Sequence, residues 1–140
     1  MIVDYQNQEY IKKWAGAIIG VADFGLSTAI GIMEGNKLIC AVIYNNFMMS
    51  PEGNPVSIEM SVASVDKRWC NRHNLGVFFR YPFVQLGVRR VQATIAKKNK
   101  PVRKFCQKLG FKYEGTGRKA WPLGGDACVY SMLKPECKWI

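Results

Sequence analysis

Tyr10, Ile11, Trp14, Ala15 and Ile18 recur at near-helical spacing and predict an amphipathic helix over residues 5–19. Two apolar runs then flank Glu34-Gly35-Asn36-Lys37, a hairpin signal because Gly and Asn tolerate positive φ. The stretch "MMSPEGNP" at 48–55 is turn-rich. In "VSIEMSVAS" at 56–64, Val56, Ile58, Met60 and Val62 alternate with Ser57, Glu59, Ser61 and Ala63, the period of a strand. Helical patterning returns over residues 72–86, where Pro82 removes one backbone donor and predicts a kink. Val88 to Lys97 reads as a strand. In "NKPVRKFCQKLGFKYEG", Val102, Phe105, Cys106 and Leu109 share one helix face, at i, i+3, i+4 and i+7. Asn99 suits the N-cap, Pro101 the first turn and Gly110 the left-handed stop, after which Phe111 packs back on Phe105 or Cys106. Strands over about 112–120 and 126–133, joined by "WPLGGD", complete a mixed sheet with helices packed on it.

Composition narrows the class. The chain has 140 residues, the size of one domain, and its 49% hydrophobic and 21% charged residues are those of a soluble globular protein. No apolar run is long enough for a membrane span, and the N-terminus lacks a basic segment followed by a long apolar one, so no secretory signal is expected. The five cysteines form no C-x-x-C pair and only one histidine, His73, is present, which argues against zinc and for reduced thiols in a cytoplasmic protein. The charge is segregated. Residues 1–66 hold 3 Lys+Arg against 7 Asp+Glu, whereas residues 67–140 hold 17 against 3. A one-sided basic surface points to a polyanionic partner, either nucleic acid or a phosphorylated cofactor.

The second half carries a resemblance. "YPFVQLGVRRV", Asn99, "KLGFKYEG" and Arg118 follow in the order of the motifs Y-A-F-x-x-L-G-x-x-R-V, N-x-x-S/A and K-L-G-F-x-x-E-G-x-x-R. "GGDACVYSML" is similar to a closing G-D-x-x-x-Y-x-x-L strand. Over about residues 56–133 the chain resembles the GNAT acyltransferase superfamily, nearest the branch that acetylates ribosomal-protein N-termini and its small phage-type relatives. The resemblance implies an α+β fold of three layers, α/β/α. Its sheet is mixed and mainly antiparallel, with about six or seven strands and a splayed central pair. It also implies acetyl-CoA as cofactor and direct acetyl transfer to a primary amine: a protein N-terminus, a lysine or a small amine. A monomer or homodimer is expected.

Carried residue by residue, the resemblance places the acetyl-pantetheine arm against Val62, Ala63 and Val65, with Asn99 and Phe105 bordering it. The pyrophosphate falls to the loop bearing Lys67, Arg68, Asn71, Arg72 and Asn74, where a helix N-terminus offers free N–H groups. Glu59, the only carboxylate inside its strand, stands where many relatives hold a general base. N–H groups near Val62 are placed to polarise the thioester carbonyl. Each residue also has a plain structural reading: Asn99 as a cap, Phe105 as core, the cations as a solvated face and Glu59 as a solvent-facing strand residue.

The loop "KRWCNRHNLG" departs from the family's Gly-rich Q/R-x-x-G-x-G/A run and is shorter. Asn71 and Asn74 are expected to supply the positive φ that glycines would. Cys106 takes the place of the tyrosine that protonates the leaving thiolate in many relatives, and reads better as a small buried hydrophobe. Trp69 and Trp121 are candidate walls of an acceptor pocket. The rival to the enzyme is an inactive basic module of this fold that binds nucleic acid or a protein.

Overall fold

The computed structural model describes residues 1–140. Seven strands form one sheet: β1 (Ile2–Asp4), β2 (Ser27–Glu34), β3 (Lys37–Met49), β4 (Pro55–Ser64), β5 (Arg90–Ala96), β6 (Lys112–Gly117) and β7 (Ala127–Leu133). Their spatial order is β1-β2-β3-β4-β5-β7-β6, and every neighbouring pair is antiparallel except β4–β5. Helix α1 (Gln8–Ile19) covers one face, setting Ile11 and Ala15 on Ala29, Leu38, Ala41, Ile43 and Ala63. Helices α2 (Arg72–Arg80) and α3 (Lys100–Leu109) cover the other. There Leu75, Phe78, Phe79, Cys106 and Leu109 meet Ile58, Met60, Val91, Tyr130 and Met132. The expected α/β/α layering and mixed sheet are therefore present. Because β3 is covered on both faces, Leu38 to Tyr44 is an unbroken buried run.

The hairpin at Glu34–Lys37 forms as expected, although only Gly35 takes positive φ. Strand β1 lies outside the sequence-based expectations: three residues at a sheet edge are too few to show a period. Helix α1 starts at Gln8 rather than residue 5, because the Asp4 carboxylate accepts from the N–H groups of Gln6 (2.8 Å) and Asn7 (3.2 Å). Strand β6 stops at Gly117, short of residue 120. Beyond it Lys119 turns to φ 55° and its N–H donates to Asp126. No helix is long and apolar enough to cross a membrane. None of the five cysteines is paired.

At Pro82, where a kink was expected, the helix changes its winding. The chain leaves α2 through a π-helical turn, Tyr81–Leu86, closed by Gly87 at φ 77°. Pro82 has no N–H, so the Phe78 carbonyl four residues earlier loses its helical donor. The Tyr44 hydroxyl donates to that carbonyl instead, at 2.7 Å, from within the core. Burial holds the Tyr44 phenol well above its ordinary pKa, so it remains a donor. Tyr44→Phe removes this buried hydrogen bond and is expected to cost about 1–3 kcal/mol of stability, read by urea unfolding at unchanged m.

Helix α3 is closed as its sequence predicts. Asn99 Oδ1 accepts from the Val102 N–H at 3.4 Å, and Gly110 at φ 115° ends the helix. The Phe111 N–H returns to Cys106 O, while its ring meets Phe79 of α2, a partner other than the Phe105 or Cys106 expected. The C-terminal tail adds a second closure, with Trp139 Nε1 donating to Leu109 O at 2.8 Å.

Candidate active site

Strands β4 and β5 pair only through Ser57–Glu59 and Arg90–Gln92. Beyond Glu59 they part. Peptide groups alternate sides along a strand. Arg89 N–H donates to Val56 O, which sets even positions of β4 toward β5. Val65 N–H donates to Ile39 O, which sets odd positions toward β3. The peptide groups of Val62 and Ser64 consequently face the opening, where β5 no longer pairs with them. A strand edge inside the sheet is thus left free, a template for an extended ligand carrying amides.

A cavity of about 560 Å³ occupies this opening. Val62, Ala63, Ser64, Thr94 and Ala96 line it from the two strands, and Asn99, Val102 and Phe105 from α3 and its cap. Val62 is 40% exposed, an apolar side chain left open because no strand lies beside it. Ala63 is buried under α1, and its own peptide groups face β3. Phe105 meets Trp69 edge-on at 6.0 Å, and Trp69 packs in turn on Phe78. Trp69 is both core and cavity wall, and Trp121 lines the other end.

Glu59 stands at the vertex where the strands separate. Its Oε1 accepts from Gln92 Nε2 at 3.0 Å and from Thr94 Oγ1 at 3.3 Å. Its Oε2 receives no hydrogen bond from the chain and the residue lines the cavity. Arg90 Nη2 donates to Gln92 Oε1 at 2.8 Å, so the amide of Gln92 can only present its NH₂ to Glu59. Arg90 is itself anchored by a bidentate pair with Glu114, at 2.6 and 2.8 Å. Glu59 is therefore oriented by a chain of polar contacts along the β5 face that α1 leaves uncovered.

The residues expected to hold a pyrophosphate lie in the loop after β4, outside the cavity lining. Asn71 caps α2, its Oδ1 accepting from Asn74 N–H at 2.9 Å. The N–H groups of Arg72 and His73 have no acceptor within the chain and remain for an anion. The expectation of positive φ at Asn71 and Asn74 is corrected: Asn71 is extended at φ −133° and Asn74 is helical. Asn74 is only 4% exposed, and its Nδ2 clamps Trp69 O at 2.9 Å, so its side chain is part of the core. The loop closes through a 3₁₀ turn at Lys67–Trp69, which needs no left-handed residue.

The cations are partly committed already. Arg68 forks onto Asp66, with Nη2 to Oδ2 at 2.7 Å, and its hydrogen bonds hold the Asp66 carboxyl down at about 2. Arg72 donates to Lys138 O at 3.2 Å and lies over Trp139. Burial pushes the Cys106 thiol up to about 12, which suits a packed hydrophobe and makes it a poor proton donor.

Five of the expected residues converge on the cavity: Glu59, Val62, Ala63, Asn99 and Phe105. Val65, Arg68, Asn71, Arg72 and Asn74 do not line it. Ser64 falls within the 63–65 stretch expected at the arm, whereas Gln92, Thr94 and Asn45 join the site without having been expected. Gln92 and Thr94 did carry a signal, being polar positions two apart in an apolar strand.

A mixed seven-stranded sheet, opened between its parallel central strands and covered by helices on both faces, is the architecture of the GNAT acyltransferases. No family model matches the chain, and no curated relative matches it. Solved structures do. The ribosomal-protein-S5-alanine acetyltransferase of Vibrio fischeri superposes with a TM-score of 0.62 at 20% identity, over 82% of this chain and 64% of that one. A mutant of the spermidine N-acetyltransferase SpeG of Vibrio cholerae gives 0.76 at 12% identity, over 100% and 98%. Mycobacterium smegmatis RimJ, in complex with CoA-disulfide, gives 0.64 at 16% identity, over 89% and 61%. The chain thus spans less than two thirds of the Vibrio fischeri and mycobacterial proteins. At these identities the likeness establishes the fold.

Proposed function

We propose that this chain is an acetyl-CoA-dependent N-acetyltransferase that acts directly on a primary amine. The observation that carries the reading is the opening between β4 and β5, which leaves the peptide groups of Val62 and Ser64 free beside an oriented carboxylate, Glu59.

The residues present fit the cofactor at its arm and less fully at its phosphates. Val62 and Ser64 offer N–H and C=O groups to pantetheine amides, while Val62 and Phe105 supply apolar contact. The free N–H groups of Arg72 and His73 serve the pyrophosphate. Acetyl-CoA supplies an acetyl group activated as a thioester. The chain's own part is to bind the arm, hold the amine and take a proton. An ammonium has no lone pair, so the amine must lose a proton before it attacks, and Glu59 Oε2 is the free acceptor at the vertex. The Val62 N–H is placed to polarise the acyl carbonyl.

A second reading, an inactive basic module that binds nucleic acid or a protein, draws support from the basic residues 67–140 together with a Gly-poor loop whose Arg68 and Arg72 are already engaged within the chain. Thermal melting separates the two. The enzyme reading expects saturable stabilisation by micromolar acetyl-CoA, together with acetylation of an amine in a panel. No cofactor shift, with nucleic-acid binding that falls steeply with salt, would overturn it in favour of the module.

A further inference from the structure

The charge of the cavity is opposite to that of the molecule. The chain carries a net +10, yet no Lys, Arg or His lines the cavity, and its two carboxylates are Glu59 and Asp23. At the end nearest α1 the remaining wall is mainly apolar, formed by Ile18, Phe24 and Trp121.

Asn45 is the further polar group at this end. It stands opposite Glu59 in the β3–β4 register, on the same face of the sheet, and lines the same cavity. Its Nδ2 donates to Phe24 O at 3.1 Å. A carbonyl can only accept, so the amide orientation follows and Oδ1 is the free end. Oδ1 is buried with no donor, the single such side-chain nitrogen or oxygen in the chain. A buried acceptor without a partner is costly, and natural proteins rarely keep one. Asn45 therefore lacks a donor that the folded chain does not supply.

We infer that the acceptor subsite is built for the primary ammonium of a monoamine with an apolar stem and no anionic group beside the nitrogen. Asn45 Oδ1 takes one of its N–H hydrogens and Glu59 another. This rests on the transferase reading and deepens it by naming the substrate class. A carboxylate or phosphate next to the amine meets Glu59 and Asp23 with no cation to pair with, and is rejected by like charge. Polycations are disfavoured at long range by the positive field of the molecule. Oδ1 is closed off in the unliganded chain beside the Phe24 carbonyl, so pairing it with the ammonium requires that segment to shift.

The test is direct binding to the full chain, with phenethylamine, L-phenylalaninamide and L-phenylalanine as probes. Trp69 and Trp121 line the cavity and report occupancy by fluorescence. Both amines are expected to bind, and phenylalanine, identical to its amide except for the carboxylate, about 100-fold more weakly. Asn45→Leu is expected to weaken both amines about tenfold with only a small change in melting temperature, since removal of the unpaired buried oxygen offsets the lost Nδ2–Phe24 O hydrogen bond. Phenylalanine binding as well as its amide, unaltered amine affinity in Asn45→Leu, or no binding of any amine would each overturn the inference. These titrations need no turnover. Selective amine binding without acetyl transfer would count against the transferase reading and leave this one standing.

Discussion

Glu59→Gln is expected to lower the acetyl-transfer kcat by about 10²–10³-fold while the KM for acetyl-CoA stays at the parental value. The substitution keeps the shape of the side chain. A glutamine oxygen can still accept from Gln92 Nε2 and Thr94 Oγ1, so the vertex between β4 and β5 keeps its geometry. What is lost is the carboxylate oxygen that no residue of the chain occupies. An effect on rate without an effect on cofactor affinity or melting temperature is the mark of a proton acceptor, because a merely structural Glu59 would move stability first. Glu59→Asp should fall between the two, since its shorter arm withdraws the oxygen from the opening. If Glu59→Gln acetylates amines at the parental rate at every pH, Glu59 has no part in the chemistry.

The local features of this fold were legible because they are written in neighbouring residues. Asn99 to Gly110 contains its own cap, face and stop, and the helix follows them. The period of β4 made its strand plain, and the family resemblance, not the period, singled out Glu59 and Val62 on it. The features that resisted reading depend on partners distant in sequence. Gln92 and Thr94 are unremarkable polar residues until β5 is laid parallel to β4 and the pairing stops at Glu59. Asn45 acquires meaning only from its register opposite that glutamate. Pro82 was visible as a missing donor, but its replacement, the Tyr44 hydroxyl, comes from another element altogether. Charge shows the same limit. Arg68 and Arg72 read as free cations along the chain, and only the folded loop and the returning C-terminus show them engaged by Asp66 and by Lys138 O.

Filling the opening should remove cofactor binding without unfolding the sheet, and Ala93→Phe is the substitution to do it. Ala93 lies on β5, paired with Tyr130 of β7 on one side, and lines the cavity on the other. It is half-buried, packed against the main core and also lining the cavity of about 560 Å³, so an added ring fills part of the opening while pressing on the core. Overpacking is expected to cost no more than about 1–3 kcal/mol. A ligand at a hundred times its Kd stabilises the parent by about 2.7 kcal/mol, worth roughly 5–10 °C in Tm for a domain of this size. The variant should show none of that shift and lose at least about 100-fold in acetyl transfer. Its affinity for nucleic acid, measured across salt, should match the parent, because the basic surface is untouched. A variant that keeps the full acetyl-CoA shift would place the cofactor somewhere other than between β4 and β5. The free peptide groups of Val62 and Ser64 would then be no more than a flaw in the sheet.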